Sequence, residues 1–355
     1  MKTLKTTVER LARQVGRNVR FMEVCGTHTM VAFRTGLRHL LPANVHLVSG
    51  PGCPVCVTDT NYIDAAVELS RRPDVIVATF GDLMRVPGSE SSLERERAAG
   101  AQVRVVYSPS DALVLAREHP AQQVVFLGIG FETTAPTVAW SIWKAAHEGL
   151  PNYSVLCAHK TMPHAMEALL KDQTVQIDGF LCPGHVSVIT GAQMYRFIAE
   201  DYQIPCVVTG FEAWDVMKGI AMLLQQIVDE RAAVENEFSR SVSDRGNTIA
   251  QHLMQEVFEP CAASWRGIGT IPESGLAIRP AYRQHDAVLV FGIQFRASYV
   301  HPGCRCGDVL RGVMTPPQCK LFGKVCTPVN PVGPCMVSSE GCCAAYYRYE
   351  QREVA

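Results

Sequence analysis

The chain has 355 residues, a formal net charge of −1 and 19% charged residues. That length allows two or three domains around a large core, and the balanced charge excludes a basic face for nucleic acid or an acidic tail. The first residues lack the apolar run of an export signal, and no window reaches about 18 uninterrupted apolar residues, so a cytoplasmic protein without a membrane span is expected. Fourteen cysteines in such a compartment point to metal or redox chemistry rather than a disulfide scaffold.

Residues 1–20 carry Leu4, Val8, Leu11, Ala12 and Val15 at helical spacing, with basic residues on the other face. Phe21-Met22-Glu23-Val24 and Val45-His46-Leu47-Val48-Ser49 read as buried strands. The first opens onto Cys25-Gly26-Thr27-His28-Thr29, the second onto Gly50-Pro51-Gly52-Cys53-Pro54-Val55-Cys56. Reactive groups gather at the carboxyl ends of strands in α/β proteins, so both stretches should deliver thiols to one rim. A helix over 61–70, a strand over 74–82, a short helix over 94–100 and a strand over 103–107 follow. Ser108-Pro109-Ser110-Asp111 then caps a further helix.

The strand over 124–130 ends in Gly128-Ile129-Gly130 and meets Phe131-Glu132-Thr133-Thr134, then a helix through Trp143 and Ala146. A dinucleotide fingerprint needs a third glycine where Thr133 stands, which argues against a Rossmann cofactor site. A second alternating set begins with a strand over 154–158 and a helix over 163–170. A strand over 177–182 then opens onto Pro183-Gly184-His185-Val186-Ser187. A helix over 193–200, a strand over 205–212 and a helix over 214–235 complete the set. This grammar predicts an α/β protein with two parallel-sheet units, 21–150 and 151–240, behind an N-terminal helix at 1–20. A helix is expected over 242–257. Beyond Cys261 the chain reads as loop-rich, and 241–355 is expected to need a metal or crosslink to hold it.

The C-x-x-C pair Cys53 and Cys56 suits reversible dithiol–disulfide exchange, with metal ligation as the alternative. Cys25 with His28 reads either as nucleophile and base or as a thiolate metal ligand beside a proton donor. Glu132 and His185, at strand ends, are candidates to face the cleft between the units; the plainer reading is a surface carboxylate and a capping histidine. Seven cysteines fall between Cys304 and Cys343. Cys304, Cys319, Cys326 and Cys343 are widely and unequally spaced, unlike the short knuckles of structural zinc. Four thiolates in such loops fit an iron–sulfur cluster, with four-thiolate zinc as the competitor. Cys306 and Cys342 are alternatives to Cys304 and Cys343; with Cys335 they are also candidate redox partners of the cluster. Cys157, Cys182, Cys206 and Cys261 are read as small buried hydrophobes, His159, His164 and His301 as ordinary, and Trp214 and Trp265 as core.

Five motifs together resemble one family. Cys25-Gly-Thr-His-Thr29, Gly50-Pro-Gly-Cys-Pro-Val-Cys56, Gly130-Phe-Glu-Thr-Thr134, Pro183-Gly-His-Val-Ser187 and the cysteine array ending Ser338-Ser-Glu-Gly341 are similar, in order, to those of the HypD family of hydrogenase maturation proteins. The resemblance spans about 20 to 350. It implies two α/β domains and a third carrying a [4Fe-4S] cluster. It also implies a scaffold or metallochaperone, rather than a turnover enzyme, on which the Fe(CN)2CO group of [NiFe]-hydrogenase is built. The implied partners are a HypC-type small chaperone, a HypE-type cyanide donor and the hydrogenase large-subunit precursor. Carried over by position, Cys25 would hold the iron under assembly, and Cys53 and Cys56 would be a redox dithiol with His28 beside them. Cys304, Cys319, Cys326 and Cys343 would bind the cluster. The competing readings are an iron–sulfur-dependent protein disulfide reductase and a Cys25–His28 hydrolase or transferase.

Overall fold

Val75–Thr79 and Gly179–Pro183 are buried at every position. Strands with no wet face belong in parallel sheets covered by helices on both sides. The computed structural model, which describes residues 1–350, contains two such sheets. Residues 351–355, the end of the expected C-terminal unit, lie outside the described residues. In chain order the strands are β1 (Val19–Glu23), β2 (Val45–Ser49), β3 (Val75–Thr79), β4 (Val103–Val105) and β5 (Gln123–Gly128). They continue with β6 (Tyr153–Cys157), β7 (Gly179–Pro183), β8 (Cys206–Thr209) and β9 (Val234–Asn236).

The first sheet has the order β2-β1-β7-β8-β9 and the second β4-β3-β5-β6, every neighbour parallel. The α/β class read from the alternation is therefore what forms. Both sheets share one topology: the opening strand has the second strand on one side and the third on the other. The order reverses between β1 and β7 and between β3 and β5, and a crevice opens there outside the carboxyl ends.

Strand pairing does not follow the expected division at residue 150. The chain starts the first sheet, builds the whole second sheet with β6 as its edge, and then returns to β7. Asp178 anchors the return: its Oδ2 accepts the Arg20 N–H at 2.8 Å, and its own N–H donates to the Arg20 carbonyl at 2.8 Å. The N-terminal helix Lys2–Val15 buries Val8, Leu11 and Ala12 against the helix Ala213–Val228. That second helix stops short of the expected residue 235 because the chain turns at Glu230, φ 51°, to enter β9. Trp214 is not core, being 48% exposed at the start of that helix, whereas Trp265 is buried.

The helix expected over 242–257 is Thr248–Val257. The stretch expected to be loop-rich after Cys261 holds an antiparallel hairpin, β10 (Phe258–Trp265) and β11 (Gly269–Ile278), with a bulge between Cys261 and Ala263. Its turn uses Gly267 and Gly269 in left-handed backbone, and Gly267 lies directly against Gly307, leaving no room for a Cβ. The cysteine-rich end has only short helical turns until the helix Cys342–Tyr349. Among the described residues no helix is long and apolar enough to cross a membrane.

Candidate functional site

The crevice between β1 and β7 is where the first thiols arrive. β1 runs out into Val24 and Cys25, and Cys25 stands at the N-cap of the helix Gly26–Arg34. The nearby backbone N–H groups of Thr27 and His28 pull against the effect of burial on the Cys25 sulfur. β2 ends at Ser49, and Gly50-Pro51-Gly52 turns the chain back over Cys25. The Gly26 N–H donates to the Gly52 carbonyl at 3.0 Å. Gly52 presses on the Cys25 backbone so closely that any Cβ would collide with it. Cys53 then caps the short helix Pro54–Val57, its sulfur accepting the Cys56 N–H at 3.2 Å. Cys53 and Cys56 are joined as a disulfide, with their Cα atoms 5.2 Å apart.

Cys25 borders a cavity of about 330 Å³ between the carboxyl edges of the two sheets, and Gly52 and Pro54, the neighbours of Cys53, line it too. Cys25, Thr27, Gly52 and Pro54 line one wall; Phe131 and Thr133, after β5, line another. Pro183, His185 and Val186 close it from β7, and Glu340 reaches in from the cysteine-rich end. Thr27 Oγ1 donates to Glu340 Oε1 at 2.6 Å. Burial pushes the Cys25 thiol up to about 12, and the Glu340 carboxylate adds to the rise. A lone thiolate is therefore disfavoured here; a bound cation would displace the proton and offset the cost.

His28 is fully buried and turns away from the dithiol. Its Nε2–H is shared between the Gly210 carbonyl at 3.0 Å and Thr209 Oγ1 at 2.9 Å, at the end of β8. Burial pulls the imidazole down to about 4. His28 thus stacks on Phe211 (4.7 Å between centroids) instead of meeting Cys25 as a base. His185 stacks on the same Phe211 ring, 3.7 Å between centroids, and is exposed at the cavity rim. Glu132 sits between two lining residues but is itself buried away from the cavity. Its Oε1 accepts the Met162 N–H at 2.9 Å at the start of the helix Met162–Lys171, and its Oε2 has no partner. Burial pushes that carboxyl up to about 7.

The C-terminal thiols converge behind the Pro54–Val57 helix, which packs on the turn Pro334–Met336. Cys53, Cys56, Cys306, Cys326, Cys335 and Cys343 are all buried in the main hydrophobic core. Cys335 lies beside the thiols of Cys306 and Cys343, and these neighbours hold it below the ordinary thiol range despite burial. Cys304 contacts Cys306. Gly333 separates the strands of this loop; a Cβ there would stand 2.6 Å from Cys306 Sγ and 2.8 Å from Cys304 Sγ. Burial pushes the Cys326 thiol up, with Cys304 and Cys306 nearby, and its sulfur accepts the Val332 N–H at 3.4 Å. Cys319 lies at the border, its sulfur 3.8 Å from the Gly303 carbonyl. Cys342 points elsewhere, towards Ser49 and Arg38.

Of the four expected cluster ligands, Cys304, Cys326 and Cys343 are thus gathered, with Cys319 one residue's backbone from Cys304. Cys306 and Cys335 stand among them. Among the described residues no group of three has metal-ligand geometry. The donors are nevertheless all thiols, in Gly- and Pro-rich loops, with the buried Arg266 guanidinium acting on Cys304. Soft donors near a fixed positive charge fit an anionic iron–sulfur cluster.

A family model described as the hydrogenase formation hypA family, HypD, matches residues 1–350. The chain belongs to the HypD family. It is 49% identical over 357 residues to the hydrogenase maturation factor HypD of Rhodobacter capsulatus, covering 98% of this chain and 95% of that protein. It is 46% identical over 353 residues to HypD of Escherichia coli (strain K12), covering 99% and 94%. The hydrogenase expression/formation protein HupD of Azotobacter chroococcum mcd 1 is 46% identical over 363 residues, covering 99% and 96%. The resemblance carried by the five motifs therefore extends along the whole chain, and the family's task is hydrogenase maturation.

Several residues of this HypD-family site escape sequence reasoning. Glu340 lies inside the Ser338-Ser-Glu-Gly341 motif, yet nothing local says that it travels to Cys25. Arg266 reads as part of a loop; it donates to the Thr58 carbonyl at 3.0 Å and Thr60 Oγ1 at 2.9 Å, tying the hairpin to the segment after Cys56. Phe211, the plate between two histidines, carries no signal beyond its place at the end of β8.

Proposed function

We propose that this HypD-family chain is the cytoplasmic scaffold on which the Fe(CN)2CO group of [NiFe]-hydrogenase is assembled. The iron is cargo, and Cys25 is its protein ligand. The observation that carries the reading is that Cys25 shares one cavity with Gly52 and Pro54, which flank Cys53, and with Glu340, which precedes Cys342 and Cys343 by two and three residues, so three distant parts of the chain meet there. Iron(II) at Cys25 displaces a proton that burial otherwise holds in place. Phe131 and Val186 give the cavity apolar walls. Thr27 and Glu340 offer hydrogen-bonding groups beside the sulfur, and His185 offers a ring edge at the open rim. Opening the Cys53–Cys56 disulfide takes up two electrons and two protons and yields two thiols; closing it returns them. Cys304, Cys319, Cys326 and Cys343 would hold a [4Fe-4S] cluster, which supplies single electrons when bound.

The partners in this reading are a HypC-type chaperone, a HypE-type cyanide donor and the hydrogenase large-subunit precursor. A disulfide reductase acting on other proteins would need an accessible dithiol. Cys53 is 3% exposed and Cys56 0%, which weighs against that reading. The His28 ring, held through Nε2 at the end of β8 and stacked on Phe211, weighs equally against a Cys25–His28 hydrolase. The test is anaerobic co-purification with a HypC-type chaperone, followed by iron and sulfide analysis and infrared spectroscopy. Cyanide and carbonyl stretching bands, with iron in excess of sulfide, are expected. A complex with equal iron and sulfide and no such bands would contradict the proposal.

A further inference from the structure

A second cavity, about 260 Å³, lies at the carboxyl end of β6 beneath the β10–β11 hairpin, away from the Cys25 crevice. It is lined by a cation and an anion that do not meet. Lys160 is 4% exposed and Asp59 9%, and both border the space. Among the described residues neither the Lys160 ammonium nor the Asp59 carboxylate has a hydrogen-bond or ion-pair partner. Lys160 Nζ lies over the Trp265 ring, 5.8 Å from its centroid, and feels the Asp59 charge across the gap.

Backbone anchors keep the gap open from both sides. The Lys160 N–H donates to the Gly130 carbonyl at 3.0 Å, and Lys160 bridges to Gly275 of the hairpin. Asp59 is flanked by Thr58 and Thr60, both held by Arg266. The remaining lining adds no charge. Burial pushes the Cys157 and Cys261 thiols up and pulls the His159 imidazole down, so all three are neutral at pH 7. Two opposite charges taken out of water and held apart are costly unless something is placed between them.

We infer that this cavity binds a small zwitterion of amino-acid size, its carboxylate on Lys160 and its ammonium on Asp59. A simple anion would satisfy Lys160 and leave Asp59 facing a like charge; a simple amine would do the reverse. The site therefore selects for both charges on one molecule. Burial also pulls the Lys160 ammonium down to about 8, with Asp59 opposing. Occupancy should consequently fall as the pH rises through about 8.

The experiment titrates the full chain with glycine, L-alanine and L-serine by calorimetry at pH 7, with acetate and ethylamine as the half-charged controls. Peptide mass spectrometry of Lys160 after amine acylation runs in parallel on the wild-type chain. Saturable heat with a zwitterion, absent for both controls and accompanied by protection of Lys160, is expected. Lys160→Met and Asp59→Asn should each weaken binding by about 30-fold or more. No saturable heat from any of the three overturns the inference. So does binding of acetate as tight as that of the zwitterions, or binding that leaves Lys160 unprotected. The wild-type comparison decides the matter even if a variant does not fold.

Discussion

Alkylation of Cys25 in the metal-free chain should climb with pH without the plateau that an ordinary thiol shows near pH 9. Only the thiolate attacks. Burial and Glu340 push this thiol up to about 12, so at pH 8 its thiolate fraction is about a thousandfold below that of an ordinary cysteine. A more basic thiolate is also a better nucleophile, which returns roughly 16- to 32-fold for a Brønsted slope of 0.4–0.5. The net expectation is labelling roughly 30- to 60-fold slower than for the same residue in the urea-unfolded chain. The assay is a time course with iodoacetamide from pH 7 to 10, read by mass spectrometry of the Cys25 peptide. Steric shielding alone would slow labelling yet still level off near pH 9; a raised thiol keeps rising about tenfold per pH unit. Glu340→Gln removes the nearby charge and should speed labelling at every pH. A plateau near pH 9, or a Glu340→Gln chain that reacts more slowly than wild type, would refute the electrostatic account of this sulfur.

Three further outcomes follow from the same geometry. Glu132 has its carboxyl raised in the folded state to about 7, from 4.5, so its contribution is fully present below about pH 4.5 and is lost as pH rises through 7. The stability of Glu132→Gln relative to wild type should therefore grow by about 3 kcal/mol between pH 4.5 and 8, measured by urea unfolding; a difference that stays flat with pH would show a solvated carboxylate. Gly52→Ala forces a methyl group into the Cys25 backbone and should cost about 1–3 kcal/mol, and an unchanged urea midpoint would deny the close approach. In the reconstituted chain Cys319→Ser should abolish the visible absorbance of the cluster, while Cys342→Ser, which points at Ser49 and Arg38, should retain it. The reverse pattern would reassign the fourth ligand.

The parts of the fold legible in sequence were those set by local chemistry. Short apolar runs located β1 to β8 to within a few residues, and the placement of Cys25 and His185 just past strand ends put both on one cavity. Pairing was not legible, because alternation fixes the grammar of strands and helices and leaves open which strand finds which. The contact between Asp178 and Arg20 that joins β7 to β1 spans a whole intervening sheet. The β10–β11 hairpin was hidden by Pro260, the bulge at Cys261 and the turn glycines, which read as loop. His28 looked like a partner for Cys25 because the two are neighbours in sequence. Its ring is claimed instead by Thr209 and Gly210, residues that only the fold brings near. Glu340 and Arg266 were missed for the same reason.

The claim on which the account rests is that Cys25 holds the iron while the C-terminal thiols serve a separate cluster. Infrared and visible spectra of the Cys25→Ala chain, purified anaerobically with a HypC-type chaperone, test it most directly. The account predicts loss of the iron–cyanide bands with the cluster's visible absorbance intact. Bands that survive in the variant would contradict it.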